Sequence, residues 1–387
     1  MPIRLSEKIE QIIRRAAGIS HGPVVLHEPF FNGNERQYVA DCIDTNWVST
    51  VGKYVNLFEE LISRTTGAKH AIATINGTAA LHICLLLAGT RTGDEILTPA
   101  LTFVAAANAI SYCNAIPHFV DVSPLSMGIC PEKLQAHLEK IAEVRDGECF
   151  NRETGRPIRA IVVMHTFGHP SHLDELKQIA DRYALKFIED AAEAIGSAYH
   201  GRHVGNHGLL SALSFNGNKT ITTGGGGAIL TNDDALAKKA RHLTTTGKVV
   251  HPWEYFHDCV AYNYRLPNLN AALGCAQLEQ LSDIVMKKRV LASRYKSEFS
   301  PVKELRFFTE MDGVKSNYWL NAIILNNPSI ELRNGLLKHL NDAGIMARPV
   351  WNLMNRLPMY ASCPAADLSA SQQLEASLIN IPSSPSF

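Results

Sequence analysis

The chain has 387 residues, 46% of them hydrophobic, and its 37 basic and 37 acidic side chains cancel. That length suits two or three domains with large cores. The even charge argues against a nucleic acid or membrane surface held by bulk electrostatics. Eight cysteines lie scattered without a C-x-x-C pair, so no zinc cage, other metal site or disulfide framework is expected. The start, MPIRLSEKIEQIIRRAAG, is amphipathic, and no stretch approaches about 18 uncharged apolar residues. A soluble, reduced, cytoplasmic protein is expected.

Strand-like and helix-like segments alternate through most of residues 1–250, the pattern of an α/β domain with a mostly parallel sheet. The strand HAIATI meets a helix at Asn76-Gly77-Thr78, which runs through AALHICLLLAG to Gly89. A strand from Glu95 to Pro99, a helical TFVAAANAISYC and a strand from Ile116 to Val122 follow. A helix from Pro131 to about Val144 leads into the polar stretch 145–157, read as a surface excursion. Next come a strand from Ala160 to His165, a helix in HLDELKQIADRYA and a strand from Lys186 to Asp190. Two short strands, Ala212 to Phe215 and Ala228 to Asn232, flank NGNKTITTGGGG. The texture then changes. LNAALGCAQLEQLSDIVMKKRVLASRYKSEFS is a long amphipathic helical region, NYWLNAIIL a strand, and ELRNGLLKHLNDAG a helix ended by Gly344. The expected organisation is an N-terminal arm over 1–40, a large domain over 41–250, and an interdomain helix with a small C-terminal domain over 251–387.

Asp190 ends one strand, and Lys219 follows another in a polar loop. Ligands of open α/β sheets bind at the carboxyl ends of the strands, so both side chains can face one crevice. A lysine and a carboxylate there suit pyridoxal phosphate (PLP). The amine forms an imine with the aldehyde, and the carboxylate keeps the pyridine nitrogen protonated. A charge pair about 4 Å apart is worth on the order of 4 kcal/mol at an effective dielectric of 20. At roughly 1.4 kcal/mol per pKa unit, that keeps a pyridinium charged at neutral pH. Taken singly, Asp190 reads as a helix cap and Lys219 as a surface lysine; their surroundings alter the balance. Gly77 and Thr78 open a helix, whose free N–H groups bind phosphate, although a plain cap looks the same. Ser214 can add a hydroxyl, and Phe103 can lie on a pyridine ring or simply be buried. The run Gly224 to Gly227 lacks G-x-G-x-x-G spacing and enters a strand, so it reads as a tight turn.

At these residues the sequence resembles the DegT/StrS sugar-aminotransferase family, which has the type I aminotransferase fold. The likeness runs from FNGNERQYV and NWVSTVGKYV to INIPSSP, through NGTAALH, PALTFVAAANAI, EDAAEAIGS, SFNGNKTITTGGGG, NYRLPNLNAALG and ARPVW. It implies an α/β protein in which Lys219 is the Schiff-base lysine and Asp190 the pyridinium partner. It further implies phosphate ligands at Gly77, Thr78 and Ser214, and a ring-stacking Phe103. Asn263 and Arg265 would reach the phosphate end of the neighbouring subunit's cofactor, which implies a homodimer with shared active sites.

Two positions depart from the wider family. Glu193 stands where many members have a glutamine near the cofactor's phenolic oxygen, and Gly225 replaces the acid of T-T-G-E-G-G. A carboxylate beside a phenolate repels it unless one of them carries a proton. Both features resemble the LegC-like branch, whose members aminate C4 of a UDP- or GDP-linked 4-keto-6-deoxy-N-acetylhexosamine on the way to legionaminic acid or bacillosamine. The implied reaction moves an amino group from L-glutamate to a nucleotide-linked keto sugar, with Lys219 as general acid and base. Arg265 and Arg348 are candidate forks for the glutamate carboxylate. Trp351 stands beside Arg348, and Trp47 is a candidate wall of the sugar pocket or a buried structural residue. The rivals are amination of another keto sugar (at C3, or of perosamine type) and a PLP-binding protein without turnover. A sugar dehydratase on the same fold is disfavoured, because known examples replace the lysine with histidine.

Overall fold

Strands buried along their whole length, such as Glu95–Pro99 and Gly227–Thr231, need cover on both faces of their sheet. The computed structural model describes residues 3–387 and supplies that cover with helices. The chain opens with α1 (Ile3–Ala17), α2 (Glu35–Asp44) and α3 (Lys53–Thr66). Then come β1 (His70–Thr74), α4 (Gly77–Leu87), β2 (Glu95–Pro99), α5 (Ala105–Tyr112), β3 (Ile116–Val120) and α6 (Pro131–Ile141). A hairpin of β4 (Ala142–Arg145) and β5 (Glu148–Asn151) precedes β6 (Ile158–Met164), α7 (Leu173–Arg182) and β7 (Lys186–Asp190). A smaller hairpin, β8 (Ala198–Tyr199) and β9 (Arg202–His203), leads to β10 (Leu210–Ser214), β11 (Gly227–Thr231) and α8 (Asp234–Thr244). The remainder holds α9 (Asn268–Glu279), α10 (Leu281–Phe299), β12 (Leu305–Phe307), β13 (Val314–Lys315) and β14 (Asn321–Leu325). It ends with α11 (Ile330–Asp342), β15 (Arg348–Pro349), α12 (Ser369–Ser377) and β16 (Leu378–Ile381).

Seven strands form the main sheet in the order β1-β11-β10-β7-β6-β2-β3. Only β11 runs against its neighbours; β10, β7, β6, β2 and β3 are parallel. The registers set Ala212 and Met164 on either side of Asp190. The ends of β6, β7 and β10 therefore open onto one edge, where an α/β sheet binds its ligand. A second sheet, β12-β14-β16-β15, is covered by α1, α10 and α11. Ile9, Ile12 and Ile13 of α1 share that core with Tyr295, Leu336 and Ile381. The amphipathic start of the chain thus packs with its C-terminal elements.

Strands Glu95–Pro99 and Lys186–Asp190 lie where the sequence pattern puts them. Four expectations need correction. The helix read to Val144 stops at Ile141, and the stretch taken as an excursion contains the β4–β5 hairpin. Its turn is Asp146-Gly147, both left-handed (φ 53° and 76°), the geometry Asp-Gly favours. Helix α8, capped by the Asp233 side chain on the Leu236 N–H, was not anticipated. The long C-terminal helical region divides at Gln280 into α9 and α10. The strand read from Asn317 begins only at Asn321, because Asn317–Leu320 form a turn with Tyr318 left-handed at φ 49°.

Ile9 is fully buried in the α1 contact. Ile9→Ala is expected to lower the unfolding free energy by about 2–5 kcal/mol, read from the urea midpoint. Activity per folded molecule should be unchanged.

Candidate active site

Side chains alternate along a strand, so Glu189 and Asp190 at the end of β7 face opposite sides of the sheet. Glu189 accepts the N–H groups of Gly205, His207 and Gly208 at 2.7, 2.7 and 2.6 Å and meets His165 Nε2 at 3.0 Å. Burial works to raise its pKa, but His165 and the N–H groups outweigh that and hold it at about 2. Asp190 is buried too and, among the described residues, its carboxylate accepts only the Ala192 N–H, at 3.1 Å. Burial lifts its carboxyl above the usual range, and the Ala192 N–H and the charges of Lys219 and His165 counter this in part. It is a carboxylate short of a cationic partner.

Lys219, in the loop after β10, is far from a surface lysine. Its Nζ lies 3.3 Å from Glu193 Oε1 and 3.9 Å from the centroid of the Trp319 ring. Glu193 also accepts the Phe167 N–H through Oε2 at 2.8 Å. Burial pushes its carboxyl up to about 7, against the pull of Lys219 and the Phe167 N–H. The departure at position 193 therefore sits against the lysine itself.

The other end of the crevice is built by close backbone approach. Asn76 caps α4 by accepting the Ala79 N–H at 2.8 Å, and the first N–H groups of a helix have no partner within it. Those are the groups that Gly77 and Thr78 present. A Cβ on Gly77 would lie 2.8 Å from Ser214 Cβ, and one on Gly227 would lie 2.5 Å from the Asn76 carbonyl carbon. Glycine at both positions lets the helix start, the Ser214 side chain and the end of the glycine run meet. The result is an anion cradle with a hydroxyl beside it.

Phe103, after β2, is 49% exposed, which rules out the core-burial reading. Its ring stands 6.3 Å from Trp351, which lies 5.0 Å from Phe167, itself 6.3 Å from Trp319. These rings form an aromatic wall between Phe103 and the lysine. Tyr264 and Arg265 run beside Thr74 and Ile75 at the end of β1, one residue short of the cradle. The Arg265 guanidinium holds Glu59 at 2.5 Å, and Asn263 is exposed opposite Thr245. Arg348 is exposed on β15, its guanidinium on Asn341 at 3.1 Å and on the Ala347 carbonyl at 3.0 Å. Trp47 is 55% exposed, so the buried structural reading fails for it. Within one chain, Lys219, Asp190 and Glu193 converge, as do Gly77, Thr78 and Ser214. Trp47, Asn263, Arg265 and Arg348 are held elsewhere.

Sequence reasoning missed Phe167, Asn317 and Trp319, all in contact with the loops that carry Glu193 and Lys219. The only signal was the polar opening of NYWLN, which fits a turn better than a buried strand. His27 was missed as well. The residue is half-buried with both ring nitrogens shielded from solvent, and desolvation and the charges of Lys288 and Lys219 hold its pKa well below the usual histidine value.

A buried carboxylate short of a cation, an amine in reach of the same crevice, an anion cradle and an exposed aromatic fit one prosthetic group, PLP. Fold and site together define the class, a PLP-dependent aminotransferase of the type I fold. The sequence profile of the DegT/DnrJ/EryC1/StrS aminotransferase family matches residues 30–387. The chain is 38% identical over 365 residues to a GDP-perosamine synthase of Vibrio cholerae, covering 94% of each chain. It is 36% identical over 364 residues to the GDP-perosamine synthase of Escherichia coli O157:H7, again over 94% of each. Among solved structures, a DegT/DnrJ/EryC1/StrS aminotransferase of Brucella abortus superposes with a TM-score of 0.81 at 27% identity, over 91% of this chain and 90% of that one. The aminotransferase PseC of Helicobacter pylori, at 24% identity, shares the fold with a TM-score of 0.83 over 93% of both. The chain belongs to the DegT/DnrJ/EryC1/StrS aminotransferase family and is a PLP-dependent nucleotide-sugar aminotransferase. Among the described residues, no helix is long and apolar enough to cross a membrane.

Glu193 also gives a pH prediction. Its folded pKa is raised, so its contribution to stability is full below the unfolded value and is lost as pH rises through about 7. Glutamine stays neutral throughout. The cofactor-free Glu193→Gln protein should melt close to wild type near about pH 4.5 and above it near about pH 8. Parallel melting curves at both pH values would contradict this.

Proposed function

We propose that this chain carries the amino group of L-glutamate to C4 of a UDP- or GDP-linked 4-keto-6-deoxy-N-acetylhexosamine, in two half-reactions at one site. The observation that carries this reading is the Glu193 carboxyl set 3.3 Å from the Lys219 amine, at the position where the family resemblance gives many members a glutamine. Gly225 in T-T-G-G-G-G is the second mark of the same branch. Relatives named GDP-perosamine synthase favour a second reading, a perosamine-type keto sugar on GDP.

PLP, when bound, supplies an aldehyde for the lysine amine and a ring that draws electrons from the reacting carbon. Lys219 Nζ takes the proton from the Cα of glutamate and returns a proton to C4 of the sugar. Asp190, buried and short of a partner, sets a negative charge against the ring nitrogen. Glu193 shares a proton with the phenolic oxygen, a role supported by a carboxyl that titrates near neutrality. Gly77, Thr78 and Ser214 bind the phosphate, and Phe103 flanks the ring and keeps water from it. Trp351, in the aromatic wall beside Phe103, lines the sugar side.

A second copy of the chain completes the site, with Asn263 and Arg265 at the phosphate end of the neighbouring subunit's cofactor. The support is apolar surface. Trp47, Val51, Trp253, Tyr255 and Val260 are each more than half exposed, apolar side chains that a second copy would cover.

The decisive experiment supplies PLP, L-glutamate and keto sugars on UDP and GDP, with and without the N-acetyl group, and reads the products by NMR. An amine at C4 of an N-acetylated sugar is expected. Amination of only the unacetylated GDP sugar supports the second reading, and no amine on any of them defeats both. Lys219→Ala should lose at least about a thousandfold in turnover, together with the borohydride-reducible adduct. Glu193→Gln should shift the pH dependence of the visible absorbance of the PLP-loaded protein; an unmoved curve removes the shared proton.

A further inference from the structure

Five hydrogen bonds meet at the turn Asn317–Trp319. Asn317 Nδ2 donates to the carbonyls of Glu193 and Ile195 at 2.9 and 2.8 Å and to Thr220 Oγ1 at 3.2 Å. Its Oδ1 accepts the Trp319 N–H at 2.8 Å. The Trp319 indole N–H donates to the Asn218 carbonyl at 2.6 Å. One turn of the small sheet's leading segment thus grips both loops that carry Glu193 and Lys219. Tyr318, between the two, takes the left-handed conformation that a bulky side chain rarely adopts. Such backbone persists only where its surroundings over-determine it.

From behind, Lys288 of α10 donates its buried Nζ to the Trp319 carbonyl at 3.1 Å and to the Ser383 carbonyl at 2.5 Å. Trp319 is therefore held at its main-chain carbonyl and at its indole N–H, with the ring 3.9 Å from Lys219 Nζ. Phe167, against the same indole at 6.3 Å, donates its N–H to Glu193. The ammonium of Lys219 lies between a carboxylate and the face of an indole. Aromatic faces attract cations, and tryptophan does so best.

We infer that Trp319 is a positioning residue for the reacting amine: its N–H fixes the loop at Asn218, and its ring face holds the Lys219 Nζ beside Glu193. The inference rests on Lys219 as the amine that captures PLP. A leucine-like filler would serve a core position equally well, whereas a cation platform needs the ring. Removing the ring destabilises the charged amine and lowers its proton affinity. The other titratable groups facing Lys219 are Glu193, Asp190 and His27, with Lys288 behind the Trp319 carbonyl. All are retained in the variants below, so any difference reports position 319.

The test follows PLP capture by cofactor-free protein, through the growth of visible absorbance, across a range of pH. Capture needs the unprotonated amine, so the midpoint of the rate profile reads its proton affinity. In W319L the midpoint should fall by about 0.5–1 pH unit, and the plateau rate should drop several-fold as the loop anchor is lost. W319F keeps a weaker ring and should move about half as far. An unmoved midpoint in W319L overturns the assignment whatever the rate does, since a merely structural tryptophan would slow capture without retuning the amine. If W319L does not fold, W319F decides by the same criterion. Wild-type protein that captures no PLP at Lys219 defeats the reading of Lys219 as well; normal wild-type capture with an unmoved variant defeats this inference alone.

Discussion

The parallel pairing of β7 with β10 sets Ala212 beside Asp190, so the chain leaves both strands at the same edge of the sheet. The loops that follow carry Glu193 and Lys219, and only this register brings an amine and two carboxyl groups into one crevice. A one-residue slip would turn Asp190 toward the opposite face, where Glu189 now binds the 205–208 loop. The two adjacent acids show what environment does to identical chemistry. Glu189, given three N–H donors and His165, is held ionised at about 2, while Asp190, given one donor, is lifted. A fully satisfied acid stabilises a loop, whereas an unsatisfied one is ready for a cationic ligand.

The crevice is also closed by a segment distant in sequence. Asn317 is buried with both its amide N–H groups and its carbonyl oxygen in use, and a buried amide is stable only under that condition. Gly168, left-handed at φ 92°, gives it room, since a Cβ there would lie 1.8 Å from Asn317 Oδ1. The second sheet therefore acts on the chemistry through hydrogen bonds to main-chain groups as well as by covering the first. Lys288 of α10 holds the Trp319 carbonyl, while the Asn218 carbonyl takes its indole N–H.

The protein carries no net charge, so anion binding has to be local. The geometry that suits it lies at the start of α4, where β1, β11 and β10 lie side by side and two glycines permit contact between main chains. The same neutrality fits a surface whose notable feature is apolar. Trp47, Trp253 and Tyr255 stand out to solvent, in segments distant in sequence.

Sequence alone was enough for the alternation of strands and helices and for the family, and it singled out Asp190, Lys219, Gly77, Thr78 and Ser214 as candidates. Each is local: hydrophobic period, a cap, a strand end, a run of neighbouring residues in fixed order. The same pattern failed at Asp146-Gly147 and at Asn317–Leu320, where left-handed residues turn a chain that composition reads as excursion or strand. Tertiary structure alone decided that Glu193 touches Lys219, that Phe103 is exposed, and that Trp319 lies under the amine. The two contacts join residues 26 and 100 positions apart in the chain, across loops whose path depends on which strands pair. No periodicity encodes such a meeting, because side-chain spacing along one element says nothing about which other element will pack against it.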